Sequence, residues 1–228
     1  MSGLARWLSV DTSGELCSVA LSANDRVVSQ SFSDARFNAR RLPSAIAELC
    51  ATQDLTVADI EGYVYAAGPG SFTGLRIGIA LVQGLALAAN APVAGVSSLR
   101  AIAHAVLLAE PAWQTVKVIN NAHMGEVFLG SYERRDGMAC EVVEDALTDP
   151  AAVQDASIDG FAGDGVALCQ SLADVGTPHY EGPVATAEAL LEIARCDVNT
   201  VWTPAGQAQA VYLRADEAMV QKPAKRRS

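Results

Sequence analysis

Only 6% of the 228 residues are aromatic, and only three are histidine: His104, His123 and His179. So few rings argue against an aromatic-rich recognition surface. No two of the histidines stand at the helical spacing that two ligands of one metal need. The five cysteines (Cys17, Cys50, Cys140, Cys169, Cys196) are odd in number, far apart and include no CxxC pair. This argues against a disulfide framework or a zinc site and fits reduced thiols in a cytoplasmic protein. The N-terminus shows no signal-peptide apolar core. Positive charge is scarce as well. Residues 1–221 hold 12 of the 16 basic residues and all 26 acids, a formal charge of −14. A body of that sign repels phosphate backbones, so broad nucleic-acid binding by the fold itself is excluded. The last seven residues carry the other four cations (Lys222, Lys225, Arg226, Arg227) and read as a solvated basic tail, 222–228.

What is plentiful is small and aliphatic. The chain is 50% hydrophobic and only 18% charged, which excludes a disordered protein. Residues 77–99 carry no charge, yet Gln83, Asn90 and Pro92 interrupt them, so the stretch reads as a buried helix running into a buried strand. Alternating apolar residues predict strands at 6–10, 16–22 and 26–32. A helix follows at 39–52, with Leu42, Ile46 and Leu49 as its stripe, Asn38 placed to cap it, and Pro43 in the first turn. A strand at 63–67, a helix at 73–90, a strand at 93–96 and a helix at 98–108 complete a first half, 1–109. After Glu110-Pro111 three strand runs recur, at 115–120, 126–133 and 138–143. A strand fragment at 158–162 and a helix at 186–195 follow, within a second half at 110–221. Two β-β-β openings, each followed by further alternation, predict an α/β protein of two tandem ribonuclease-H-like halves, the actin-like ATPase architecture. Its mixed sheets are flanked by helices, and its second half is degenerate.

Two motifs carry the chemistry. Asp11-Thr12-Ser13 closes the first strand. An acid beside two hydroxyls there suits a metal–phosphate group, and it equally suits a β-turn whose side chains bond the local backbone. Gly68-Pro69-Gly70-Ser71-Phe72-Thr73-Gly74-Leu75-Arg76-Ile77-Gly78 joins a strand to a helix N-terminus, where backbone N–H groups can hold an anion. No lysine follows the glycines as a P-loop requires, and Ser71 sits one place too early for a G-x-S-x-G nucleophile elbow. Gly74 and Gly78, four apart, also offer a bare helix face for close packing by another helix. Arg76 is the lone charge in 62–99, which marks it for a fixed partner or an interface. The position in the second half that corresponds to Asp11 is Asn120-Asn121, so no acid there opposes the first.

The glycine-rich run, with Asp11-Thr12-Ser13 before it and Pro92-Val93-Ala94-Gly95-Val96-Ser97-Ser98-Leu99 after it, resembles the TsaB (YeaZ) family of the bacterial threonylcarbamoyladenosine tRNA-modification machinery. The resemblance is strong over about 105 residues. Beyond them, Asn121-Ala122-His123-Met124-Gly125-Glu126-Val127-Phe128 and Val211-Tyr212-Leu213-Arg214 look like family landmarks. Phe37-Asn38 stands where the family often has His-Ser, and Asn121-Ala122-His123 where it often has Asp-Ala-Arg. The resemblance implies a non-catalytic scaffold that activates a larger paralogue, TsaD. TsaD carries a paired-histidine metal site and transfers threonylcarbamoyl to the tRNA adenosine next to the anticodon. It also implies pairing through the first two helices, a homodimer through the same surface when TsaD is absent, and a small ATPase partner, TsaE. ATP or ADP and metal are expected on the partner subunits, with tRNA contacted only indirectly and no membrane.

The residues expected at the partner surface are Arg40, Arg41, Leu42, Ile46, Leu49, Gly74, Leu75, Arg76, Gly78, Ile79 and Val82. Those expected at a nucleotide or anion site are Asp11, Thr12, Ser13, Gly68, Gly70 and Ser71, with no catalytic residue and no metal ligand assigned. A nucleotide hydrolase or kinase-like enzyme using Asp11 and the 68–74 loop stands as the alternative. A peptidase, for which no metal pair or activated nucleophile is visible, stands last.

Overall fold

The computed structural model describes residues 5–33, 38–154, 157–172, 176–180, 184 and 186–214, without the side chains of 38 and 39. The basic tail at 222–228 and the Asn38 cap lie outside the described residues.

The chain opens with an antiparallel meander, β1 (Trp7–Asp11), β2 (Cys17–Ala23) and β3 (Arg26–Phe32). Asn24 and Asp25 take the positive φ that the tight hairpin between β2 and β3 requires. Then come α1 (Asn38–Thr52), β4 (Gly62–Gly68), α2 (Phe72–Ala89), β5 (Pro92–Ser97) and α3 (Ser98–Ala109). A second meander follows: β6 (Thr115–His123), β7 (Glu126–Arg135) and β8 (Met138–Thr148). Short strands β9 (Gly160–Ala162) and β10 (His179–Tyr180), helix α4 (Ala187–Cys196) and strand β11 (Trp202–Pro204) complete the order.

Among the described residues these strands form two mixed sheets, β11-β5-β4-β1-β2-β3 and β10-β9-β6-β7-β8. Each half thus runs strand three, two, one, four, five, with the first three antiparallel and the fourth parallel to the first. The repeated order shows two ribonuclease-H-like halves. The second is reduced: 3-10 turns at Val166–Leu168 and Gln170–Leu172 occupy the region where the first half has full helices.

Period two sorts the first sheet's side chains. Leu8, Val10, Val19, Leu21, Tyr63 and Tyr65 meet the stripes of α1 and α2 on one face. On the other face Ala20, Val64 and Ala66 meet α4, whose Ala187, Ala189 and Ala194 allow close approach. In space, therefore, α4 and β11 belong with the first sheet, although they follow Glu110-Pro111 in the chain. β2 is buried along its whole length because helices cover both of its faces.

α3 lies between the sheets. Its Leu99, Ala103, Val106 and Leu107 pack on Val116, Val118, Phe128 and Tyr132 of the second sheet. Arg100 and His104, one turn apart, capture both backbone groups of Ala139 on β8. Arg100 Nε donates to the carbonyl at 2.8 Å, and the amide donates to His104 Nδ1 at 3.4 Å. Arg100 also pairs with Asp197 at 2.6 Å, and His104 Nε2 lies 3.2 Å from Glu192 Oε2 on α4. His104 is fully buried.

Because Nδ1 accepts a hydrogen bond, the single proton of the neutral ring sits on Nε2. Burial pushes this imidazole below its ordinary pKa of 6.5, with Glu192 pulling it back and Arg100 and Arg134 pushing it further down. The unfolded chain then binds more protons, so this contribution is complete above pH 6.5 and is lost as pH falls from there toward the folded pKa. The melting temperature is expected to fall across that window in the wild type and to fall less in His104→Gln. Calorimetry at stepped pH checks this, and equal slopes would contradict it.

Candidate functional site

The two sequence motifs meet. Asp11, buried at the end of β1, accepts from the Ser13 amide at 2.7 Å through Oδ1 and from the Thr186 hydroxyl through Oδ2. Both carboxylate oxygens are therefore engaged within the chain. Thr12 Oγ1 donates to the Gly74 carbonyl at 2.7 Å, and the Ser71 amide donates to the Ser13 carbonyl at 2.7 Å. Ser71 caps α2, its Oγ accepting from the Gly74 amide at 3.2 Å.

The glycines are needed for this approach. A Cβ on Gly74 would collide with the Thr12 carbonyl, one on Gly78 with Thr12 Oγ1, and one on Gly70 with Ser13. The bare helix face anticipated for a second helix is thus filled by the chain's own strand-end turn. Gly68 has φ +114°, and a Cβ there would stand 2.6 Å from the Val211 carbonyl. Its amide donates to Ser98 Oγ at 3.2 Å. The geometry is that of a turn whose side chains bond local backbone, with its hydrogen bonds made inside the fold.

The second half repeats it. Asn121 Oδ1 accepts from the His123 amide at 2.8 Å, as Asp11 does from Ser13. Gly163 and Gly165 lie against Ile119 and Asn120, as Gly70 lies against Ser13. An acid stands close by: Asp164 Oδ1 accepts from the Asn121 amide at 2.8 Å. Sequence spacing alone did not bring these residues together. Among the described residues no group of three or more His, Cys, Asp or Glu side chains could hold a metal ion. A cleft of about 380 Å³ at the far end of α2, lined by Leu87, Asn90, Pro92, Trp202 and Pro204 among others, includes none of the strand-end residues.

The helices divide the residues expected at a partner surface. Leu42, Ile46, Leu49, Leu75, Ile79 and Val82 are buried against the first sheet, and Gly78 is buried under Thr12. These stripes are the faces that the helices need for their own sheet. Arg40, Arg41 and Arg76 are exposed. The Arg41 guanidinium lies 5.1 Å from the Phe32 ring centre. Arg76 has its fixed partner within the chain: it stacks 3.7 Å above the Phe72 ring centre and donates to Tyr212 Oη at 3.2 Å.

The exposed side of α2 is unusual. Ile77, Ala80, Gly84 and Leu87 recur every three to four residues on it, and Leu87 is 65% exposed. The helix is not the buried one that its charge-free sequence suggested. By length and composition it could cross a membrane, with a mean hydropathy of 1.6, but it packs on β4 along one side and only 28% of it is buried. A Cβ on Gly84 would meet nothing within 4 Å.

The fold and the strand-end turns define a protein of two tandem ribonuclease-H-like halves in which the first strand's carboxylate is bound internally. A family model described as TsaD: tRNA N6-adenosine threonylcarbamoyltransferase matches residues 33–225. YeaZ from Pseudomonas aeruginosa superposes with a TM-score of 0.82 at 30% identity, covering 92% of this chain and 100% of that one. TsaB of Escherichia coli K12, a tRNA threonylcarbamoyladenosine biosynthesis protein, is 40% identical over 130 residues, 57% of this chain and 55% of that protein. TsaB of Bacillus subtilis is 33% identical over 144 residues, 60% of this chain and 59% of that protein. The chain thus spans little more than half the length of these curated relatives. It belongs to the TsaD family, on the branch that holds YeaZ and TsaB.

The turn-on-glycine contact makes a direct prediction. Gly78→Leu should lower unfolding stability by about 1–3 kcal/mol, because the new side chain displaces Thr12. Thr12→Val should cost ~1 kcal/mol through the lost bond to Gly74. Urea denaturation measures both, and two neutral variants would show that the contact is not structural.

Proposed function

We propose that this chain is a non-catalytic subunit of tRNA threonylcarbamoyladenosine biosynthesis, working in the cytoplasm. It pairs with a TsaD-type transferase through the exposed faces of α1 and α2. The observation that carries the reading is the uncovered side of α2, an apolar helix with one charge and a row of small and aliphatic residues facing solvent. Such a face is stabilised by a partner that covers it. The names of the curated relatives support the pathway.

Ile77 and Leu87 are the anchors of this surface. Ala80 and Gly84 permit close approach of a partner helix, and Arg40, Arg41 and Arg76 form its rim. The same face serves a homodimer when the transferase is absent. TsaE joins the assembly, nucleotide and metal belong to the partner subunits, and tRNA is held mainly by them, in keeping with the acidic body. Asp11 already accepts from Ser13 and Thr186, so a nucleotide-hydrolase role would have to rest on its remaining lone pairs.

Size-exclusion chromatography with light scattering, on the chain alone and with a cognate TsaD, tests the reading. A one-to-one complex is expected. Gly84→Leu should weaken it by about tenfold or more, ~1.4 kcal/mol, with no fall in melting temperature. A chain that ignores TsaD, or a Gly84→Leu variant that binds it normally, would overturn the surface assignment.

A further inference from the structure

The landmark segments 121–128 and 211–214, far apart in sequence, come together at one place. Residues 208–214 run along α2 as an extended strap, and the first half holds most of it. Gln83 Nε2 donates to the Ala208 carbonyl at 3.1 Å, the Gln209 amide donates to Tyr65 Oη at 3.0 Å, and the Val211 amide donates to the Ala67 carbonyl at 2.7 Å. Tyr212 meets Phe72 at 5.7 Å between ring centres and accepts from Arg76. The last step crosses to the second half. Leu213 packs on the core between α3 and the second sheet. Arg214 reaches the turn between β6 and β7. Its Nη2 donates to the carbonyls of Ala122 at 3.1 Å and His123 at 3.4 Å, and pairs with Glu126 at 2.8 Å. Its Nη1 donates to Met124 Sδ at 3.1 Å.

This hairpin is the second half's counterpart of the Asp11-Thr12-Ser13 turn. Its tip is awkward without support: His123 and Met124 both have positive φ, and Met124 is 85% exposed. On the opposite side of the junction, α3 already ties the halves through Ser97 to Asp145 at 2.5 Å and through the Ala139 contacts of Arg100 and His104. The two halves are therefore tied along α3 and tied again at Arg214.

We infer that residues 208–214 are a strap fixing the β6–β7 hairpin to the glycine loop of the first half, with Arg214 as its latch. Releasing Arg214 frees the hairpin and the strap's end while both sheets stay folded. The planar guanidinium is suited to this, since it addresses a carboxylate and two carbonyls at once, which a lysine ammonium cannot do in the same geometry.

Hydrogen exchange read by mass spectrometry on the full chain tests it, in wild type, Arg214→Ala, Arg214→Lys and Glu126→Gln. Arg214→Ala should speed exchange about tenfold or more at 121–127 and at 211–213, with β1, β4 and α2 unchanged. Arg214→Lys and Glu126→Gln should fall between it and wild type. Unchanged exchange at the hairpin in Arg214→Ala would overturn the latch. So would a uniform rise across both sheets, which would make Arg214 a general stability residue.

Discussion

The close seating of Thr12 on the glycine face of α2 sets the rest of the molecule. It holds the strand-end turn against the helix start, with the Ser71 cap and the Ser13 carbonyl completing the joint. Once that side of α2 is committed to β1 and β4, the helix has only its opposite side to offer. Ile77, Ala80, Gly84 and Leu87 fall there by the 3.6-residue period. An internal packing contact thus determines which face is presented outward.

The same joint draws in the polar groups of the strand ends. Asp11 spends both oxygens on Ser13 and Thr186, and Asn121 repeats the local bond without a charge. Buried polar groups that are bonded internally stabilise a fold. In this chain the distinctive features lie on surfaces: an uncovered apolar helix and a hairpin held by an arginine.

Local pattern made much of this legible. The strands of both meanders and α1 to α4 follow from period, punctuation and caps. Contacts between distant residues were not legible. Arg76 finds Tyr212 136 positions away, and His104 finds Glu192 on a helix from the other end of the chain. The short strands β10 and β11 carry too few residues to show a period, and β11 exists only because β5 offers it an edge. The spacing of Gly74 and Gly78 marks a bare face, and Thr12, not a second helix, fills it. Spacing shows that a helix can be approached closely, not what approaches it.

Side-chain oxidative footprinting of the chain, free and with its TsaD-type partner, tests the central claim most directly. The account predicts that Ile77 and Leu87 are labelled in the free chain at dilutions where it is monomeric and are protected in the complex, while Met124 on the β6–β7 hairpin keeps its reactivity. Undiminished labelling of Ile77 and Leu87 in a formed complex would contradict it.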